Sequence, residues 1–135
     1  MINNPRALRI IYSMFALLWF AALVFIERMG PGFVRFYVGD VMVTGFLFWC
    51  VLAVKPSLNA VYLGLSILIV ALIVEVLQLF RLEWLREILG QKTSNLVLGN
   101  NFDWGDVLAY VIGLLISVGI YYLIGLRTNT TNKTT

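Results

Sequence analysis

Residues 58–80 read LNAVYLGLSILIVALIVEVLQLF, and this run decides the fold class of the chain. The run is apolar for most of its length, and Glu75 is its only charged residue. A helix of about 20 apolar residues spans the roughly 30 Å hydrocarbon core of a bilayer. Residues 58–80 therefore predict a transmembrane helix with one carboxyl group near its end.

Three other apolar runs have a similar length, and the composition of the whole chain agrees with them. The chain has 135 residues, of which 61% are hydrophobic and 13% charged, whereas soluble domains are nearly half apolar and about a quarter charged. A chain this short cannot bury so much apolar surface inside itself. We predict an all-α integral membrane four-helix bundle in a single domain, residues 1–127, with helices at about 10–26, 36–54, 58–80 and 106–126. Residues 128–135 are predicted to be a disordered polar tail.

The connection between helices three and four is long, and its first part is amphipathic. Residues 82–89 alternate apolar and charged groups around Trp84, and Gly90 follows as a stop signal. A tryptophan with flanking charges is typical of a helix that lies in the membrane interface. We therefore expect a short interfacial helix between helices three and four.

The acidic residues are expected to meet at one end of the bundle. Four crossings bring the end of helix one, the start of helix two, the end of helix three and the start of helix four to one membrane face. All seven acidic residues fall on that face, whereas the opposite face carries basic residues only. The acidic face also carries Arg28, Arg35, Arg81, Arg86 and Lys92.

Glu75 is the most informative of these acidic residues, because a central acidic residue costs about 2.5–3.5 kcal/mol on insertion scales. Gln78 and Arg81 follow it at one-turn spacing on helix three, and Asp103, Asp106 and Tyr110 share one face of helix four. The candidate binding cluster is Asp40, Glu75, Gln78, Arg81, Asp103, Asp106 and Tyr110. Two alternatives stay open: Asp103 and Asp40 as helix caps, and the whole cluster as a polar clasp that stabilises the bundle.

Helix four also carries small residues at four-residue spacing, namely Ala109, Gly113 and Ser117. Small residues in this pattern let two membrane helices approach closely. We expect helix three to be the neighbour on this face.

Several functional classes are disfavoured by the composition. The chain has no histidine and one cysteine, Cys50, so the usual zinc sites and an internal disulfide are not expected. Its basic residues are scattered singly between apolar runs, which is typical of loop charges that set membrane orientation rather than of nucleic-acid binding. We expect no cofactor.

The polar motifs resemble those of two groups of membrane proteins. Glu75-Val-Leu-Gln78, Asp103-Trp-Gly-Asp106 and Gly113 resemble the core of VanZ-like proteins, which are associated with low-level resistance to the glycopeptide teicoplanin. A closer resemblance is to a family of small bacterial proteins with a domain of unknown function. That likeness rests on Gly39-Asp40, on Glu75 to Leu79 and on Leu98 to Asp106. This chain has Tyr110 where VanZ-like proteins usually have Asn, so the resemblance implies the fold and the site rather than a resistance role.

Three functional hypotheses follow. The first is a non-enzymatic cell-envelope protein whose polar cavity binds a lipid head group or a membrane partner. The second is a metal-dependent membrane enzyme or cation site, since carboxylates suit Mg²⁺ and Ca²⁺. The third is a small transporter that works as a homo-oligomer. The expected location is the bacterial cytoplasmic membrane, with both termini cytoplasmic because Arg6 and Arg9 precede the first helix.

Overall fold

The fold consists of four long helices, seen in a computed structural model that describes residues 4–79, 87–88, 90 and 103–125. The helices are α1 (Pro5–Glu27), α2 (Gly39–Val54), α3 (Ala60–Leu79) and α4 (Trp104–Leu123). A π-helical segment, Val34–Val38, runs directly into α2. All four are long and apolar enough to cross a membrane, as the sequence predicts. The predicted interfacial helix and the predicted polar tail lie outside the described residues.

Helix α1 begins at Pro5, earlier than the apolar run alone suggests. The side chain of Asn4 accepts a hydrogen bond of 3.0 Å from the backbone N–H of Arg6 and caps the helix. Proline is well tolerated in the first helical turn, where its missing N–H is not needed. Arg6 and Arg9 therefore form the first turns of α1 rather than a preceding loop.

Helix α2 contacts each of the other three helices. On one side Gly45 lies beneath the indole ring of Trp19, so that a Cβ atom at this position would overlap the ring. On the other side Gly113 of α4 lies against Thr44 and the backbone of Val41. The expectation that α3 faces this position was wrong, because the space that Gly113 leaves is filled by α2.

The buried apolar core occupies the half of the bundle that contains the start of α1. Its aromatic centre is Trp49, whose ring stacks on Phe15 at a centroid distance of 4.5 Å and meets Phe48 edge-on at 5.4 Å. Other core residues come from the same end of every helix: Leu8, Tyr12, Leu52, Ala60, Leu63 and Tyr121. The acidic residues lie at the other end, so the bundle has a tightly packed apolar half and a polar half.

The close contact between α2 and α4 is testable with two glycines of the same helix. We expect Gly113→Ala to destabilise the protein by about 1–3 kcal/mol, because the added methyl group has to displace Thr44 or the α2 backbone. Gly119→Ala is the control, since no atom lies within 4 Å of the position that its Cβ would take and alanine is the better helix former. Reversible unfolding in mixed micelles measures both. Equal stability of the two variants would contradict the packing described above.

Candidate functional site

The candidate site is a group of five acidic residues at the polar end of the bundle. Glu27 ends α1, Asp40 lies in the first turn of α2, Glu75 lies near the end of α3, and Asp103 and Asp106 begin α4. Asp40 is near three other members, Asp106, Glu75 and Glu27. The structure therefore brings together the acidic side chains that the sequence placed on one membrane face. We call these five residues the acidic cluster.

Glu75 is the most buried member of the acidic cluster, with 1% of its surface exposed. Its Oε1 atom accepts a hydrogen bond of 2.8 Å from the hydroxyl group of Tyr110 on α4. The backbone N–H of Asp103 also faces this carboxyl group. The other oxygen, Oε2, is buried and has no hydrogen-bond partner among the described residues. Because a buried polar atom without a partner costs free energy, Oε2 marks a position where a donor is missing.

Asp40 and Asp106 form a second part of the acidic cluster. Their carboxyl groups lie near each other across the contact between α2 and α4, close enough to share a hydrogen bond when one of them is protonated. A hydrogen bond between two carboxyl groups requires one proton between them. Asp40 does not cap α2, because the helix continues backwards into the π-helical segment and leaves no N-cap hydrogen bond for a side chain to make.

The start of α4 shows why the Asp103-Trp-Gly-Asp106 motif has this order. Asp103 is the N-cap, as the sequence predicts, and its Oδ1 accepts a hydrogen bond of 2.8 Å from the N–H of Gly105. Its Oδ2 accepts a hydrogen bond of 2.8 Å from the hydroxyl group of Tyr37. A side chain at residue 105 would overlap the Tyr37 ring, so glycine is needed there. Asp106 is then one turn from the cap and faces α2.

The π-helical segment supplies two contacts that periodicity did not indicate. Tyr37 reaches Asp103, and Arg35 reaches Glu27, with Nε and one terminal guanidinium nitrogen each 2.9 Å from Oε2. The Arg35–Glu27 pair is largely exposed and contributes little stability. Tyr37 is not among the residues that the sequence pattern predicts for the site. The sequence does contain one indication of this role, because Tyr37 lies three residues before Asp40 and therefore at the same membrane face.

Two of the sequence-predicted site residues are described in part or not at all. Gln78 lies in the last turn of α3, but its side chain lies outside the described part of the structure. Arg81 lies wholly outside it. The other five predicted residues, Asp40, Glu75, Asp103, Asp106 and Tyr110, lie together.

An apolar groove of about 410 Å³ lies beside the acidic cluster, between the start of α2 and the start of α4. Leu108 and Ile112 of α4 line one wall, and Phe33 and Val41 line the other. Tyr37 belongs to both features, because its ring lines the groove and its hydroxyl group bonds to Asp103. The groove and the acidic cluster therefore adjoin at Tyr37.

The chain matches a known protein family over more than half of its length. The model of a family described as Protein of unknown function (DUF2809) matches residues 29–114. The matched region contains all seven site residues that the sequence predicts, but it leaves out all of α1 and with it Glu27. No solved structure matches the chain.

The environment of Asp103 gives a prediction about pH. The N–H of Gly105 and, second, the hydroxyl group of Tyr37 hold the pKa of Asp103 below its usual value. Because the pKa is lowered in the folded state, these bonds stabilise the fold above the unfolded pKa and cease to do so as the pH falls through the folded pKa. Tyr37→Phe should raise the pKa of Asp103 toward its ordinary value, as measured by NMR titration of the carboxyl carbon.

A matched control is Tyr62→Phe, since Tyr62 is exposed at the start of α3, in the other half of the bundle. This control should leave the pKa of Asp103 unchanged. An equal pKa of Asp103 in wild type and Tyr37→Phe would show that the Tyr37 contact does not form.

Proposed function

The chain belongs to the DUF2809 family, and we propose that it is a non-enzymatic multi-pass membrane protein that binds the polar head group of a lipid at the acidic cluster. The observation that carries this proposal is Oε2 of Glu75, an acceptor that is buried at the polar end of the bundle and has no partner in the part of the chain that the structure describes. A polar group kept unsatisfied inside an apolar bundle indicates a ligand rather than a stabilising contact.

The apolar groove supports a lipid as the ligand. An acyl chain in the groove would run along Leu108 and Ile112, and its polar end would reach Tyr37 and Asp103. Ligand sites with mostly apolar walls and a few placed polar groups are the common type in proteins. A polar segment of a membrane partner is the other occupant that this arrangement accepts, and the experiment below separates the two.

The other sequence-based hypotheses have less support from the geometry. In the described ranges, no group of three or more His, Cys, Asp and Glu side chains is arranged to hold a metal ion. A metal-dependent enzyme acting on lipid phosphate is thus not favoured by a specific contact. No feature of the described residues favours an oligomeric transporter over a binding protein.

We also propose where the protein is located and that it is related to VanZ-like proteins. We place the protein in a bacterial cytoplasmic membrane with both termini inside, because Arg6 and Arg9 lie at the N-terminal end of the first apolar helix. The kinship with VanZ-like proteins rests on the motifs around Glu75 and Asp103. Reporter fusions at the two termini test the orientation, and a reporter signal from the outer side at either end would overturn it.

Native mass spectrometry of the purified full-length protein tests lipid binding at the acidic cluster. Wild type should retain a lipid through purification. Glu75→Gln combined with Asp106→Asn should lose it, because the variant changes the charge and hydrogen bonding of the site. Glu87→Gln is the matched control, since it removes an exposed carboxylate outside the acidic cluster.

Two results would contradict the proposal. If the double variant retains lipid as well as wild type does, the lipid binds elsewhere on the bundle. If wild type retains no lipid but carries a polypeptide that the double variant loses, the acidic cluster binds a protein partner.

A further inference from the structure

The charges around the acidic cluster are unbalanced within the described ranges. The charged neighbours of Asp40 are all carboxyl groups, and those of Glu75 and Asp106 are carboxyl groups as well. Arg35 is bonded to Glu27 at the edge of the site. No described lysine or arginine forms an ion pair with Asp40, Glu75, Asp103 or Asp106. Among the residues that the structure describes, the inner part of the acidic cluster therefore has no positive charge.

Around the acidic cluster, the described hydrogen-bond donors are also fewer than the carboxyl oxygens that can accept from them. Ionised carboxyl groups only accept hydrogen bonds, and even with one proton between Asp40 and Asp106 most of the eight oxygen atoms of these four carboxyl groups act as acceptors. Among the described residues, the donors near these acceptors are the hydroxyl groups of Tyr37 and Tyr110 and the N–H groups of Gly105 and Asp103. Oε2 of Glu75, in a side chain 99% buried, receives none of them. The missing group has to bring donors as well as positive charge.

A primary ammonium group has both properties. It carries one positive charge and three N–H donors on a compact centre, so it can bond to several carboxyl oxygens at once. A metal ion fits less well, because the described acidic residues do not converge as a metal-binding set. A quaternary ammonium group has no N–H donor and is generally held by aromatic faces. At this site Tyr37 and Tyr110 direct their hydroxyl groups, not their ring faces, at the carboxyl groups. A quaternary ammonium group is therefore less suited to the acidic cluster.

We infer that the ligand of the acidic cluster carries a primary ammonium group, which binds to Oε2 of Glu75 and to the paired carboxyl groups of Asp40 and Asp106. This inference rests on the proposed function, in which the ligand is a lipid head group, and it names the chemistry of that head group. An amine-headed phospholipid such as phosphatidylethanolamine has the required group at the depth of the membrane face.

The test is a thermal-shift titration of the purified protein in detergent micelles. The probes are phosphatidylethanolamine, its N-monomethyl and N-dimethyl derivatives, phosphatidylcholine, phosphatidylglycerol and free ethanolamine. Phosphatidylethanolamine should bind about tenfold or more tightly than phosphatidylcholine and phosphatidylglycerol, with the methylated lipids between them as N–H donors are removed. Glu75→Gln should reduce the preference for the amine to about threefold or less, and Glu87→Gln should keep it.

Asp106→Asn provides a second variant should Glu75→Gln fail to fold, and it should weaken the same preference. Equal binding of all phospholipids, or tighter binding of phosphatidylglycerol, would overturn the ammonium inference while leaving a lipid-binding function in place. Binding of free ethanolamine without any phospholipid would keep the ammonium inference and overturn the lipid function. If no probe changes the melting temperature, both are wrong.

Discussion

The rest of the polar end depends on one constraint, which is that the carboxyl group of Glu75 is buried inside an apolar helix bundle. A charged group in this environment needs partners, and the Tyr110 hydroxyl group supplies one at 2.8 Å. That bond joins α3 to α4, and the α4 N-terminus then brings Asp103 and Asp106 to the same place. No donor from the described residues reaches the remaining oxygen of Glu75. The helices are thus joined at this end, but one buried acceptor, Oε2 of Glu75, has no described donor.

The two halves of the bundle differ: the apolar half packs the helices together, and the polar half contains the proposed binding site. In the apolar half, aromatic rings around Trp49 and the close contact of Gly45 with Trp19 pack the helices together. In the polar half, Asp40, Glu75 and Asp106 lie near one another, and none of them forms an ion pair with a described cation. Mutual repulsion of like charges disfavours this arrangement. Packing in the apolar half and at Gly113 stabilises the bundle enough to tolerate it, as is common where a site conflicts with stability.

The sequence was sufficient to predict four helices that are long and apolar enough to span a membrane, because each is a long apolar run bounded by polar residues. It also predicted the meeting of Asp40, Glu75 and Asp106, since four crossings leave those positions at one end. The neighbour of Gly113 could not be predicted, because small-residue spacing marks a face of a helix without identifying the helix that packs there. Tyr37 was missed for a different reason. The π-helical segment changes the angle between successive side chains, so ordinary helical periodicity does not show which residues face the site.

The central claim is that the acidic cluster serves binding and does not stabilise the bundle. The most direct measurement is the free energy of unfolding of Asp40→Asn/Glu75→Gln/Asp106→Asn beside wild type, both in nanodiscs of phosphatidylcholine. The triple variant removes the like charges but keeps a carbonyl oxygen at residue 75 that accepts the Tyr110 bond. We predict that this variant is as stable as wild type or more stable. A free energy of unfolding that is markedly lower for the triple variant than for wild type would show instead that these carboxyl groups stabilise the helix bundle.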